Sequence, residues 1–126
     1  MSSQKFNPKE AGIIVKARVE GLFSDTIPLA LDTGATYTMI PRRLAHSIHL
    51  KIDPKKTIEL TSATRVERVS LIVIPEIEVL GMIAKNVEVV IKNLPKESAV
   101  EGLLGLSFLK HFKLTIDFKK GELSLE

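Results

Sequence analysis

The chain has 126 residues, 44% of them hydrophobic, 26% charged and 5% aromatic, with a formal net charge of +3 and neither cysteine nor tryptophan. That length buries one ordinary core and falls short of two full domains; the missing cysteines exclude a disulfide framework and a thiolate metal site, and weak scattered positive charge without interleaved aromatics argues against nucleic-acid binding. No apolar run approaches the ~20 residues that cross a bilayer and no signal-like segment stands at the start, so a cytoplasmic protein without membrane contact is expected.

The polar stretch Met1 to Ala11, broken by Pro8, reads as a flexible tail, which leaves 12–126 as a single domain. Ile13, Val15, Ala17 and Val19 then alternate with polar neighbours, the period of a half-buried strand, and Gly21 permits a turn. Ile27, Leu29 and Leu31 continue the alternation to Asp32, where Thr33-Gly34 breaks it. A short strand over Tyr37, Met39 and Ile40 leads to Pro41, which suits a first helical turn, and Leu44, Ala45 and Ile48 repeat at helical spacing.

Strand patterns return from Thr57 to Ile91, carried by Ile58 and Leu60, by Val69, Leu71 and Val73, by Ile77 and Val79, and by Val87, Val89 and Ile91. Leu94-Pro95-Lys96-Glu97 marks a loop, Gly102 to Leu106 leads into a helical turn over Ser107 to His111, and strands at Leu114/Ile116 and Leu123/Leu125 flank a Lys120-Gly121 turn. The expected architecture is mainly β with one or two short helices.

Asp32 is the residue with chemistry to offer. It sits on a tight turn after an apolar strand, which would draw a carboxylate partly out of water. Two such carboxylates within hydrogen-bonding distance cannot readily both ionise, so they share a proton; one then serves as base toward a water while the other protonates a carbonyl, the chemistry of amide hydrolysis without metal or covalent intermediate. Asp-Thr-Gly occurs once, and Asp25, Asp53 and Asp117 are not followed by the same turn residues, so the second carboxylate must come from another copy around a two-fold axis.

Two separated segments resemble the retropepsin-like aspartic peptidases, the single-domain dimeric class that includes retroviral proteases. The first is Ala30-Leu31-Asp32-Thr33-Gly34-Ala35-Thr36, continuing through Ile40-Pro41-Arg42-Arg43-Leu44-Ala45; the second is Gly102-Leu103-Leu104-Gly105-Leu106-Ser107-Phe108-Leu109 with Ile116-Asp117-Phe118 after it. The resemblance implies a closed acid-protease β-barrel, a homodimer cleaving a polypeptide substrate, and no cofactor or metal. It implies Asp32 as the catalytic residue, with Thr33, Gly34, Ala35 and Thr36 as its supporting loop and Leu103, Leu104 and Gly105 packed beneath it. The substrate-covering flap falls near Leu60 to Val69, with Thr61, Ser62, Ala63, Thr64 and Arg65 at its tip. That tip has no glycine, so a loop based on a type I turn is expected there in place of a two-residue primed turn. The same feature keeps open a second reading, a non-catalytic dimerisation or peptide-binding module on the same fold. His46 and His49 read as part of the polar face of the short helix and not as metal ligands.

Overall fold

The computed structural model describes residues 2–126. Ten strands and two short helices follow in the order β1 (Ser2–Lys5), β2 (Ile14–Glu20), β3 (Ser24–Leu31), β4 (Thr38–Ile40), α1 (Arg42–Ser47), β5 (Thr57–Thr61), β6 (Val66–Val79), β7 (Met82–Ile91), β8 (Leu103–Leu104), α2 (Leu106–Leu109), β9 (Leu114–Asp117) and β10 (Glu122–Leu125). The chain is mainly β, as its alternation predicts. No helix among the described residues is long and apolar enough to cross a membrane.

Alternation decides the first hairpin. Val15, Ala17 and Val19 of β2 turn inward opposite Ile27 and Leu29 of β3, and all five are buried. Each such aliphatic side chain contributes about 1.5–3 kcal/mol when fully withdrawn from water. At the turn, Gly21 is needed for close approach: a Cβ there would run into the Ile48 carbonyl, which accepts the N–H groups of Leu22 (2.9 Å) and Phe23 (3.2 Å). The hairpin is thereby fixed to the end of α1, whose Leu44 and Ala45 join the core.

The larger sheet has the order β2-β3-β8-β4-β7-β6-β5, and an additional β2–β6 pairing brings it back on itself as a ring. This ring is less than the closed barrel expected. β8 is only two residues long and meets β4 at the single pair Met39↔Leu103, so the ladder on that side is nearly interrupted. Loop hydrogen bonds from Ala35 and Thr36 to the start of α2 bridge the gap.

Two expectations are corrected. Part of the supposed flexible tail is strand β1, paired antiparallel with β10 from Ser2↔Leu125 to Lys5↔Glu122. The Phe6 N–H extends the ladder to Gly121 O (2.8 Å), and the Phe6 ring packs edge-on against Phe118. Backbone pairing holds this polar segment, and backbone pairing leaves no hydrophobic pattern to read. The second correction concerns the region expected as separate strands around Leu71 and Ile77, which is one strand of 14 residues, β6. It runs through Pro75, where the register with β7 passes from Ile74↔Val87 to Glu76↔Lys85 and skips a pair. Asn86 opposite adopts φ 55°, so the interruption caused by a residue without an N–H is absorbed locally. Ile72 and Ile74 face the core there, while Val73 is exposed.

Candidate active site

Asp32 stands where β3 ends. Ala30 and Leu31 pair in parallel with Leu103 and Leu104, and the N–H groups of Ala30 and Asp32 donate to the carbonyls of Gly102 (3.1 Å) and Leu104 (3.0 Å). The backbone carrying the carboxylate is therefore held by strand pairing up to Asp32 itself. Immediately after it the chain turns: the Ala35 N–H donates to Asp32 O (3.2 Å), and the Gly34 N–H donates to Asp32 Oδ1 (2.9 Å). A Cβ on Gly34 would lie 3.2 Å from that oxygen, so glycine lets the backbone come up to the carboxylate. Asp32 is half-buried, with Thr33 exposed beside it.

Beneath this turn lies a polar knot that the sequence reading missed. Thr38 and Ser107 are the only buried polar side chains among the described residues. The Ser107 hydroxyl accepts the Thr38 N–H (2.9 Å), Thr38 Oγ1 accepts the Gly105 N–H (3.1 Å), and the two hydroxyls lie 3.1 Å apart. The Leu106 and Ser107 N–H groups donate to Ala35 O (2.8 Å) and Thr36 O (3.0 Å). The loop after Asp32 is thus bound to the start of α2 at consecutive residues. Leu104 is fully buried under the turn and Leu103 reaches the cleft wall, while Gly105 touches the carbonyls of Ala35 and Tyr37 so closely that no side chain fits. The one available signal for the knot was a Thr at an inward strand position, between Tyr37 and Met39.

Asp32 faces a cleft of ≈ 320 Å³ whose walls include Tyr37, Met39, Leu60 and Leu103. A larger cleft, ≈ 590 Å³, lies along Lys51, Lys56 and Leu71. Volume favours the latter, but the smaller one holds the carboxylate with its backbone donor and is the site chemistry can use.

The profile of a protein family described as aspartyl protease matches residues 15–108, a span that contains both Asp32 and the Leu103-Leu104-Gly105 element. The chain belongs to the aspartyl protease family. Among solved structures, this aspartyl protease chain is similar to the crystal structure of a retropepsin-like aspartic protease from Rickettsia conorii, with 22% identity, a TM-score of 0.68, and coverage of 98% of this chain and 87% of that one. At that identity the likeness establishes a retropepsin-like fold. No curated protein matches the chain.

The segment where the family resemblance leads one to expect a flap is, in this aspartyl protease chain, the hairpin of β5 and β6. The strands close at Thr61↔Val66, and Ser62–Arg65 turn the chain with no residue in the left-handed region. The Ser62 N–H donates to Arg65 O (2.9 Å), and in return the Arg65 N–H meets the Ser62 hydroxyl (3.3 Å), which substitutes for a backbone carbonyl. A glycine-free tip is therefore braced by a side chain. Thr61, Ser62 and Arg65 line the Asp32 cleft; Ala63 and Thr64 project into solvent and do not. Of the two histidines on or near α1, His49 sets its ring edge-on to Phe23 and His46 is exposed.

Glu67, on β6 just past the hairpin tip, was not singled out in the sequence. Its Oε2 accepts from Arg65 (2.9 Å) and from Lys92 (3.0 Å), the residue following β7. Hydrogen bonding to Arg65 first, and to Lys92 second, holds the Glu67 carboxyl below its ordinary range. A depressed folded pKa means the tie is present above the unfolded value and is lost as pH falls through the folded one. Amide protection factors at 62–67 are therefore expected to fall only as pH drops below the ordinary glutamate range, and a Glu67→Gln variant should lack that acid step. Identical pH profiles for the two proteins would contradict the assignment.

Proposed function

We propose that the protein is an aspartic endopeptidase that acts as a homodimer and hydrolyses peptide bonds with water activated by two Asp32 carboxylates, one from each subunit. The observation that carries this reading is the single Asp32, half-buried at a cleft, with its backbone held by β8 and one carboxylate oxygen held by the Gly34 N–H. One fixed carboxylate per chain would be half of a dyad, and the exposure of Thr33 next to it supports a role in bracing a second copy of the same turn around a two-fold axis.

In that dimer one Asp32 is ionised and the other protonated. The ionised carboxylate takes a proton from a water as its oxygen attacks the scissile carbonyl carbon, while the protonated one gives its proton to the carbonyl oxygen. The resulting gem-diol collapses as the amide nitrogen receives a proton and leaves, which regenerates carboxylic acid, amine and one proton shared by the dyad. The substrate lies as an extended strand between the flap and the cleft floor, with apolar side chains against Met39, Leu60 and Leu103.

A subunit-mixing experiment tests the shared site. Asp32→Asn chains that exchange freely with a threefold smaller amount of wild type should leave about a quarter of the wild-type activity, because mixed dimers hold one carboxylate. Activity unaffected by the excess variant would mean that a single chain is sufficient. The second reading, a peptide-binding module without catalysis, draws on the flap tip, which Ser62 braces and Arg65 ties to Glu67. It predicts peptide binding without cleavage by either protein.

A further inference from the structure

The charges around the Asp32 cleft are unevenly signed. Besides Asp32, the charged side chains lining it are Arg65, Glu67 and Lys92. Both cations meet the same oxygen of Glu67, at 2.9 and 3.0 Å, so one carboxylate faces two positive charges. Glu67 and Lys92 also line a neighbouring cleft of ≈ 310 Å³, together with Arg42 and Arg68. Arg68 reaches Glu59 (3.0 Å) and Thr57 (2.9 Å) on β5, and Arg42 follows Pro41 at the start of α1. Across the two clefts the lining holds four cations against Asp32 and Glu67, with Glu59 paired to Arg68 at the margin.

The donors outnumber what they serve. An ammonium carries three N–H groups and a guanidinium five, and Glu67 uses one from Lys92 and one from Arg65. A strand-like substrate advances about 3.3 Å per residue, so a peptide leaving the catalytic cleft past Glu67 and Lys92 enters the second cleft within a few residues. A basic side chain arriving there meets a surplus of positive charge. An acidic one finds unused donors from planar guanidinium groups suited to carboxylates.

We propose that Lys92, Arg65, Arg42 and Arg68 form a subsite for acidic side chains, which selects polypeptides carrying Asp or Glu a few positions to one side of the bond cleaved at Asp32. The inference rests on the peptidase reading for which bond is cut, but the charge selection is separately measurable as binding. The groups facing the subsite are these four cations, Glu67 between them and Glu59 on Arg68.

The test uses two labelled peptides with the same apolar centre, one with Asp and Glu in its flanks and the other with Asn and Gln. Binding to the Asp32→Asn protein is read by fluorescence anisotropy and cleavage by wild type is read in parallel. The acidic peptide should bind about fivefold more tightly at low salt, and the difference should vanish near ~0.5 M salt. Lys92→Gln should shrink the preference, and Arg42→Glu with Arg68→Glu, both at exposed positions away from Asp32, should turn it toward a lysine-bearing peptide. Equal binding of the two original peptides overturns the subsite, as does cleavage indifferent to their charge. Charge-selective binding with no cleavage by wild type upholds the subsite and overturns the peptidase instead.

Discussion

Replacing Gly105 by Ala should destabilise the protein by about 3–5 kcal/mol, a large part of the ~5–15 kcal/mol that keeps an ordinary domain folded. A Cβ there would sit 2.5 Å from the Tyr37 carbonyl oxygen and 2.7 Å from that of Ala35. Both are backbone atoms, so no side chain can rotate away, and the start of α2 must separate from the loop that follows Asp32. Separation stretches the Leu106 N–H bond to Ala35 O, the Ser107 N–H bond to Thr36 O and the Gly105 N–H bond to Thr38 Oγ1. Each buried group left unsatisfied costs about 1–3 kcal/mol. Gly12→Ala is the matched control, since nothing lies within 4 Å of its Cβ. Thermal unfolding followed by circular dichroism should show the Gly105 variant melting about 10 °C or more below wild type, with the Gly12 variant within a few degrees of it. Equal melting temperatures for all three would mean that the loop and α2 are not held together as described.

The same contact explains what was readable beforehand. Gly105 stood in a Leu-Leu-Gly element that carried a family resemblance, and the structure packs it against the loop that follows Asp32. The β2–β3 hairpin was also visible, because one buried face and one exposed face impose period-2 alternation on Val15, Ala17, Val19, Ile27 and Leu29. The glycine-free sequence argued against a two-residue primed turn at the β5–β6 hairpin, and Ser62 to Arg65 indeed avoid positive φ. Strand β1 escaped because its partner β10 holds it through backbone hydrogen bonds that any polar sequence can make. Leu71-Ile72-Val73-Ile74 is apolar throughout, so an alternation carried on Leu71 and Val73 took the wrong phase, Ile72 and Ile74 being the buried pair, and the strand was divided where Asn86 accommodates Pro75. Thr38 pairs with Ser107, and Glu67 with Lys92, across 69 and 25 residues. Long-range polar contacts of this kind have no local period, and they are the ones that fix the loop after Asp32 and the β5–β6 hairpin.

The account depends most on Asp32. Asparagine at this position keeps the size of the side chain and can still receive the Gly34 N–H through its amide oxygen. It cannot take a proton from water, and in a dimer it removes the like-charge interaction that makes two carboxylates share a proton. General acid–base catalysis by each partner is worth about 10²–10⁴ in rate, so loss of both should reduce cleavage by at least that factor while leaving the fold and peptide binding in place. The direct measurement is mass-spectrometric reading of a diverse peptide mixture incubated with wild type and with Asp32→Asn, from about pH 3 to pH 7, where carboxyl pairs titrate. Cuts between apolar residues by wild type, absent from the Asp32→Asn digest, are the predicted result. Equal cutting by both proteins, or none by wild type while it binds the peptides, would contradict the assignment of Asp32 as the catalytic carboxylate.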